Sequence, residues 1–184
     1  HIVHKDLKII EEETARCGRV VQDLLTYARP GRLEKSKSNP VEIMQKSLNL
    51  GRHLMKKKEI VVTEDYAPDI PELWMDAQKI QQVFVNMLLN AMDSMLTGGR
   101  LSLAVHRNDD EVSVRIQDTG GGISEENIKR IFDPFFTSKI GRGTGLGLSI
   151  CQSIIHEHAG AIRVKSKVGE GTEFTITFPI EKLN

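Results

Sequence analysis

Hydrophobic positions along the chain fall into two regimes. Over residues 1–30, Val3, Leu7, Ile10, Thr14, Cys17, Val21, Leu24 and Ala28 recur at alternating spacings of four and three. That is a heptad seam on one helix, with charged side chains over most of the remaining surface. A stripe of this kind needs a covering, either a partner helix or the helix's own domain, and the pattern favours the partner. Arg29-Pro30-Gly31 stops the helix, because proline disfavours helical backbone in the residue before it and glycine frees the backbone. Residues 31–40, GRLEKSKSNP, are polar and end in a proline, which reads as a linker.

From residue 41 onward the period alternates between helix and strand. Val41, Met44, Leu48 and Leu54 or Met55 suit an amphipathic helix from Val41 to about Lys58, and Ile60–Tyr66 reads as a strand. Asp76–Leu96 is a long helix with Ile80, Val83, Phe84, Met87, Leu88 and Ala91 on its buried side, ended by Thr97-Gly98-Gly99. Leu101–His106 and Val112–Gln117 alternate about Asn108-Asp109-Asp110 as a hairpin. A further helix runs from about Leu146 to His158, and Ala161–Ser166 with Thr172–Pro179 forms a second hairpin. The expected fold class is α+β: a two-layer α/β sandwich, one sheet with helices on one face, preceded by one long helix. The expected divisions are 1–30 (helical arm), 31–40 (linker) and 41–184 (globular domain).

Composition narrows the classes. Lys+Arg and Asp+Glu are 25 each, which removes the simplest case for a nucleic-acid coat or a polybasic membrane binder. The zero hides a split: residues 1–60 carry 13 basic and 8 acidic side chains, and 61–184 carry 12 and 17. No apolar run exceeds three residues, so neither a spanning helix nor a signal-peptide core is expected, and the chain reads as soluble. Cys17 and Cys151 form no CxxC pair, and His156-Glu157-His158 is not HExxH, so reduced thiols and no zinc site are expected.

Four segments carry chemistry. Asn86 and Asn90 sit at i and i+4 on a Leu- and Met-rich helix, converging on one spot. Asparagine is a poor helix residue. Its amide oxygen is a hard, neutral ligand suited to Mg²⁺, although neighbouring backbone would also satisfy the pair. Asp118-Thr119-Gly120-Gly121-Gly122-Ile123 ends a strand. Its glycines let backbone approach a flat ligand, and its aspartate accepts from an exocyclic amine; a plain glycine turn with a capping Asp has the same pattern. Gly141-Arg142-Gly143-Thr144-Gly145-Leu146-Gly147-Leu148 runs into a helix, where free N–H groups make a phosphate cradle. Neither GxxxxGK[ST] nor GxGxxG is present, so this is not a P-loop or a dinucleotide fingerprint. Phe132-Asp133-Pro134-Phe135-Phe136-Thr137-Ser138-Lys139 lies between the glycine segments, as a mobile lid anchor, a small aromatic core, or both.

In this order, the Asn box, DTGGGI, FDPFFTSK, GRGTGLGLSI and GEGTEFTITFP resemble the ATP-binding catalytic domain of sensor histidine kinases, the GHKL or Bergerat fold. NAMDSM with FDPFFTSK is similar to the nitrogen-regulation branch. Residues 5–30, ending in VVQDLLTYARP, resemble the second helix of the family's dimerisation and phosphotransfer hairpin. The resemblance implies ATP and Mg²⁺ as ligands. Asn90 would coordinate the metal, and Asn86 would line the phosphate site as the second catalytic amide. Asp118 would meet the adenine amino group, supported by Gly122 and Thr172. Gly143, Gly145, Leu146, Gly147 and Leu148 would enclose the phosphates, and Thr137, Ser138, Lys139 and Arg142 would lie in the lid. Asp93, Gly120, Ile123 and Thr144 complete the implied nucleotide contacts. The phenylalanines beside the lid would dock the domain against the hairpin.

Two departures shape the expectation. Asp93 stands where many relatives have a lysine, so cationic help is assigned to Lys139 or Arg142. The family's acceptor motif, His-acid-Asn/Arg-Pro, does not occur; His4-Lys5-Asp6-Leu7 lacks its acid and proline. The expected reaction is transfer of the ATP γ-phosphoryl to a histidine on a hairpin helix upstream, for relay to a response-regulator aspartate. Homodimerisation through the hairpin, a cytoplasmic location, no nucleic acid and no membrane contact by this fragment are also expected. A GHKL ATPase or serine kinase is the alternative, as is a nucleotide-sensing scaffold. The first two would place a glutamate where Asn86 stands.

Overall fold

The computed structural model describes Thr14, Gly18 and residues 33–96, 98–138 and 143–180; the heptad arm otherwise lies outside the described residues. The first element is a short strand, β1 (Ser36–Ser38), which pairs antiparallel with β3 (Leu73–Met75) in a two-stranded sheet. The end of the expected linker is therefore stitched to the globular domain. Three polar residues have no strand signature of their own, and the partner strand imposes the extended form.

Helix α1 (Pro40–Lys57) starts where Asn39 Oδ1 accepts the Val41 amide at 2.8 Å, with Pro40 in the first turn. It buries Ile43, Met44, Leu48 and Met55. Strand β2 (Ile60–Tyr66) follows, then β3 and helix α2 (Ala77–Ser94), which buries the six apolar residues expected and also Met92. The end of α2 corrects the sequence reading. The helix stops at Ser94 with Met95 extended, before the glycines. The Lys58 ammonium reaches across to donate to the carbonyls of Met92 (2.6 Å) and Met95 (3.3 Å). A cation from the α1–β2 turn thus does what a glycine cap would have done. Gly98 and Gly99 instead lead into β4 (Gly99–Arg107).

Strand β4 and β5 (Glu111–Asp118) form the first expected hairpin. Its turn is held by Asn108 Oδ1, which accepts from the amides of Asp110 and Glu111. A four-residue helix α3 (Glu125–Ile128) is followed by α4 (Gly147–Glu157), β6 (Ala161–Lys167) and β7 (Gly171–Pro179). The main sheet runs in the order β2-β4-β5-β7-β6, with β2–β4 parallel and the rest antiparallel.

Alternation along the strands separates two faces. Leu101, Leu103 and Val105 of β4, Val112, Val114 and Ile116 of β5, and Phe174, Ile176 and Phe178 of β7 join the helices in one core. Full burial of each large side chain contributes roughly 1.5–3 kcal/mol. The intervening residues, Ser113, Arg115 and Gln117 on β5 for example, are half-buried or exposed. This is a mixed sheet with helices on one face, as expected. Helix α2 lies between α1 and α4 and against β5, so one face of this helix is available to line the space between α4 and the β5 terminus.

Candidate nucleotide site

A cavity of about 420 Å³ opens there, lined from α2 by Asn86, Leu89, Asn90, Asp93 and Ser94. Spacing explains the set: residues 86, 90 and 94 recur every fourth position, so their side chains lie on one face. Asn86 is tied across the cavity wall, its amide nitrogen donating to the Gly147 carbonyl at 3.3 Å and contacting Cys151 Sγ at 3.6 Å. This amide links α2 to the first turn of α4.

The opposite end is built on Asp118, the last residue of β5, which is only 5% exposed. Its Oδ1 accepts from the Gly120 amide at 2.8 Å and from the Ser94 hydroxyl at 2.9 Å. Burial pushes the carboxyl pKa above its ordinary value, and the bonds from Gly120, Ser94 and the Thr172 backbone pull only partly the other way. Around it, Ser166 Oγ accepts the Ile123 amide, donates to the Gly171 carbonyl and sits 2.9 Å from Thr172 Oγ1. Gly122 takes φ +69°, and a Cβ there would lie 2.0 Å from the Lys167 carbonyl oxygen. No side chain fits, so the loop closes onto the β6–β7 turn only with glycine.

The third wall is the start of α4. Its N-cap is Leu146, an apolar residue that offers the first turn no side-chain acceptor, so the amides there are available to an anion. Gly145, at φ +70°, packs backbone to backbone against Phe135, whose carbonyl carbon would be 2.4 Å from an added Cβ. Phe136 lines the cavity beneath the Arg130 guanidinium, 4.6 Å from the ring centroid. Phe135 is 63% exposed. The three phenylalanines thus divide: Phe132 and Phe136 pack against the core while Phe135 faces outward.

Of the expected residues, Asn86, Asn90, Asp93, Asp118, Gly122, Ile123, Thr137, Ser138, Gly143, Thr144, Gly145, Gly147, Leu148 and Thr172 line this one cavity. Leu146 does not line it: its side chain is buried in the core, because an N-cap on a helix packed against the sheet turns an apolar side chain inward. Gly120 does not line it either, and acts through its amide on Asp118. Lys139 and Arg142 lie outside the described residues. The sequence reading missed Leu89, Ser94, Gly121, Asn127, Ile131, Phe136 and Phe174 as cavity residues. For Ser94 a signal existed, its place four residues after Asn90. The others come together only through packing.

Among the described residues no group of three or more His, Cys, Asp or Glu side chains is arranged to hold a metal ion. Asn90 and Asp93, residues with oxygen-bearing side chains, line the cavity from α2. That donor set fits an ion such as Mg²⁺, which takes much of its shell from phosphates and water. No helix among the described residues is long and apolar enough to cross a membrane.

Comparison with known proteins agrees with this geometry. Residues 75–182 match the family described as "Histidine kinase-, DNA gyrase B-, and HSP90-like ATPase". Sporulation kinase E of Bacillus subtilis is 33% identical over 175 residues, covering 95% of this chain and 24% of that protein. The sensor histidine kinase ZraS of Salmonella typhimurium is 35% identical over 178 residues, covering 96% of this chain and 38% of that protein. The chain therefore spans between about a quarter and two fifths of the length of these relatives. Among solved structures, the catalytic domain of the histidine kinase ThkA superposes with a TM-score of 0.73 at 31% identity, covering 79% of this chain and 97% of that one. ThkA in complex with the response regulator TrrA gives 0.81 at 28%, covering 95% and 50%.

Proposed function

Because this chain belongs to the histidine kinase-, DNA gyrase B- and HSP90-like ATPase family, we propose that its cavity binds ATP with Mg²⁺ and serves protein-histidine phosphorylation. The observation that carries this reading is the convergence, in one cavity, of the Asn86–Asn90 face of α2, the N-terminus of α4 and a buried aspartate at the end of β5. The adenine amino group would donate to Asp118, where a carboxylate with about four lone-pair positions retains acceptor capacity beyond its protein donors. The triphosphate would run along α2 to the first turn of α4, held by backbone amides with lid side chains over it. Asn90 would hold Mg²⁺, whose chemistry there is neutralisation of phosphate charge.

In the reaction, a ring nitrogen of the acceptor histidine forms a bond to the γ-phosphorus as the bond to the β–γ bridging oxygen breaks, and ADP leaves. The chain's own part is positioning and water exclusion. The acceptor histidine would lie on a hairpin helix outside these 184 residues, and its phosphoryl group would pass to a response-regulator aspartate. ThkA, solved with its response regulator, supports that class of partner. Residues 1–30 would pack in the hairpin of a homodimer.

A hydrolase or serine kinase on the same fold is the alternative. Asn86 counts against it: an amide is no general base near neutral pH, and this one already bridges to Gly147 and Cys151. The test is to incubate the chain with ATP, Mg²⁺ and a supplied hairpin carrying the acceptor histidine. Acid-labile label on the hairpin, with slow ATP hydrolysis in its absence, is the expected outcome. Rapid steady hydrolysis without the hairpin, or acid-stable label, would overturn the assignment.

A further inference from the structure

We propose that Ser94 is a positioning residue for base selection: its hydroxyl holds the plane of the Asp118 carboxylate and so sets the preference for a purine bearing a 6-amino group. This rests on the nucleotide reading above and gives a role to the serine of NAMDSM, to which the resemblance assigned none.

An aspartate does not orient itself, since the last torsion of its side chain is broad and roughly two-fold. Here two donors from different elements meet on the same oxygen. The Gly120 amide comes from the loop after β5 at 2.8 Å, and the Ser94 hydroxyl comes from the last turn of α2 at 2.9 Å. Two bonds to Oδ1 from separate directions define the carboxylate plane, and with it the direction in which the remaining acceptor sites face the cavity.

The hydroxyl also has a choice. Ala91 carbonyl oxygen lies 2.8 Å away, and a serine carries one donor hydrogen for the two acceptors. Hydrogen bonds to ionised acceptors are roughly twice as strong as neutral ones, so an ionised Asp118 takes the proton. The fit is close as well as polar: a Cβ on Gly120 would lie 2.2 Å from Ser94 Oγ, so the glycine keeps the space through which serine reaches the carboxylate.

Ser94 also completes a line. It stands eight residues beyond Asn86 and four beyond Asn90, about 12 Å and 6 Å along the helix axis, and all three line the cavity. One rigid helix therefore carries the amides assigned to the phosphate end and the hydroxyl that orients the base-reading group. The distance between the two ends of the ligand is set by α2 and not by a loop.

The experiment is calorimetric titration of the chain with Mg²⁺ and either ATP or purine riboside 5′-triphosphate, which differs only in lacking the 6-amino group. The wild type should prefer ATP. Ser94→Ala should lower that preference by about tenfold, with affinity for the purine riboside triphosphate unchanged. Ser94→Cys, of similar size and a weaker donor, should fall between the two. Thermal unfolding of the free variants checks that the fold is retained, and the Cys variant carries the test if Ala does not fold. An unchanged preference in Ser94→Ala, or equal losses for both nucleotides, would overturn the proposal while Asp118→Asn still loses the preference. An Asp118→Asn variant that keeps it would bring down the base-reading assignment first, and this proposal with it.

Discussion

Two aspartates, Asp76 at the start of α2 and Asp118 at the end of β5, are almost equally inaccessible to solvent and behave in opposite ways. Asp76 is 7% exposed and Asp118 is 5% exposed. Burial alone would raise the Asp76 pKa, but the amides of Lys79, Glu34 and Gln78, with the positive charge of Lys79, hold the carboxyl below its ordinary value. Its Oδ1 caps α2 through Gln78 and Lys79, its Oδ2 accepts from Glu34 in the segment leading to β1, and its own amide donates to His158 Nε2 at 2.9 Å. His158 is thereby assigned: the Ile154 carbonyl can only accept, so Nδ1 donates to it at 2.7 Å and Nε2 is the unprotonated nitrogen. Every polar group in that junction is spent on the fold. At Asp118, burial wins over its donors and the pKa stays raised. Each carboxylate has three protein donors, so the difference lies in desolvation. At Asp118 its cost exceeds what the donors return, beside a cavity a ligand can fill, whereas at Asp76 the donors and the Lys79 charge prevail.

The contrast is most sharply broken or upheld by Asp118→Asn. ATP affinity should fall about 10- to 100-fold, the loss of a hydrogen bond to a charged group. Stability without nucleotide should hold or rise, because a raised acid pKa means the ionised form is disfavoured by folding. Calorimetric titration and thermal unfolding measure the two. Loss of the fold would make Asp118 a structural residue like Asp76.

Asp76→Ala should show the reverse, with a stability loss of about 2 kcal/mol in urea unfolding from the lost cap and the unpaired Glu34 amide. Nucleotide affinity of the folded fraction should be nearly unchanged.

A smaller effect is expected from His158. Burial holds its pKa below the ordinary histidine value, only partly offset by the bond to Ile154, with Lys35, Asp76 and Glu157 as the surrounding charges. The unfolded chain therefore binds the proton more readily, and stability contributed by this group is present above about pH 6.5 and lost as pH falls below it toward the folded value. His158→Phe should flatten the stability slope between about pH 7 and 5 relative to the parent. An unchanged slope would remove His158 from the account. Least of all, Lys79→Ala, which deletes the 3.1 Å ion pair with Glu157, should cost no more than about 1 kcal/mol, read from the urea midpoint.

Much of this site is legible before folding because its parts are local. The Asn86–Asn90 pair lies on a helix whose apolar period is plain, and Asp118 ends an alternating strand one threonine before three glycines. Gly122 and Gly145 stand where backbone approaches backbone. Other features have no local signal. Ser36–Ser38 becomes a strand only because Leu73–Met75 lies beside it. The end of α2 is set by Lys58, more than thirty positions away, and the tie from Asn86 to Gly147 spans 61 residues. Ser94 shares the asparagine face by simple periodicity, yet its importance comes from Asp118, which arrives from another element.

Periodicity and glycine placement thus sufficed for the layers, while the class of ligand was implied by the resemblance of the ordered motifs. Folding chose which polar groups would be consumed by neighbours and which left toward the cavity. Hydrogen-bond satisfaction and desolvation depend on distant atoms brought within about 3 Å, and no window of sequence contains both partners. That is why Asp76 and Asp118, alike on paper as aspartates at the ends of strands or starts of helices, part company only once packed.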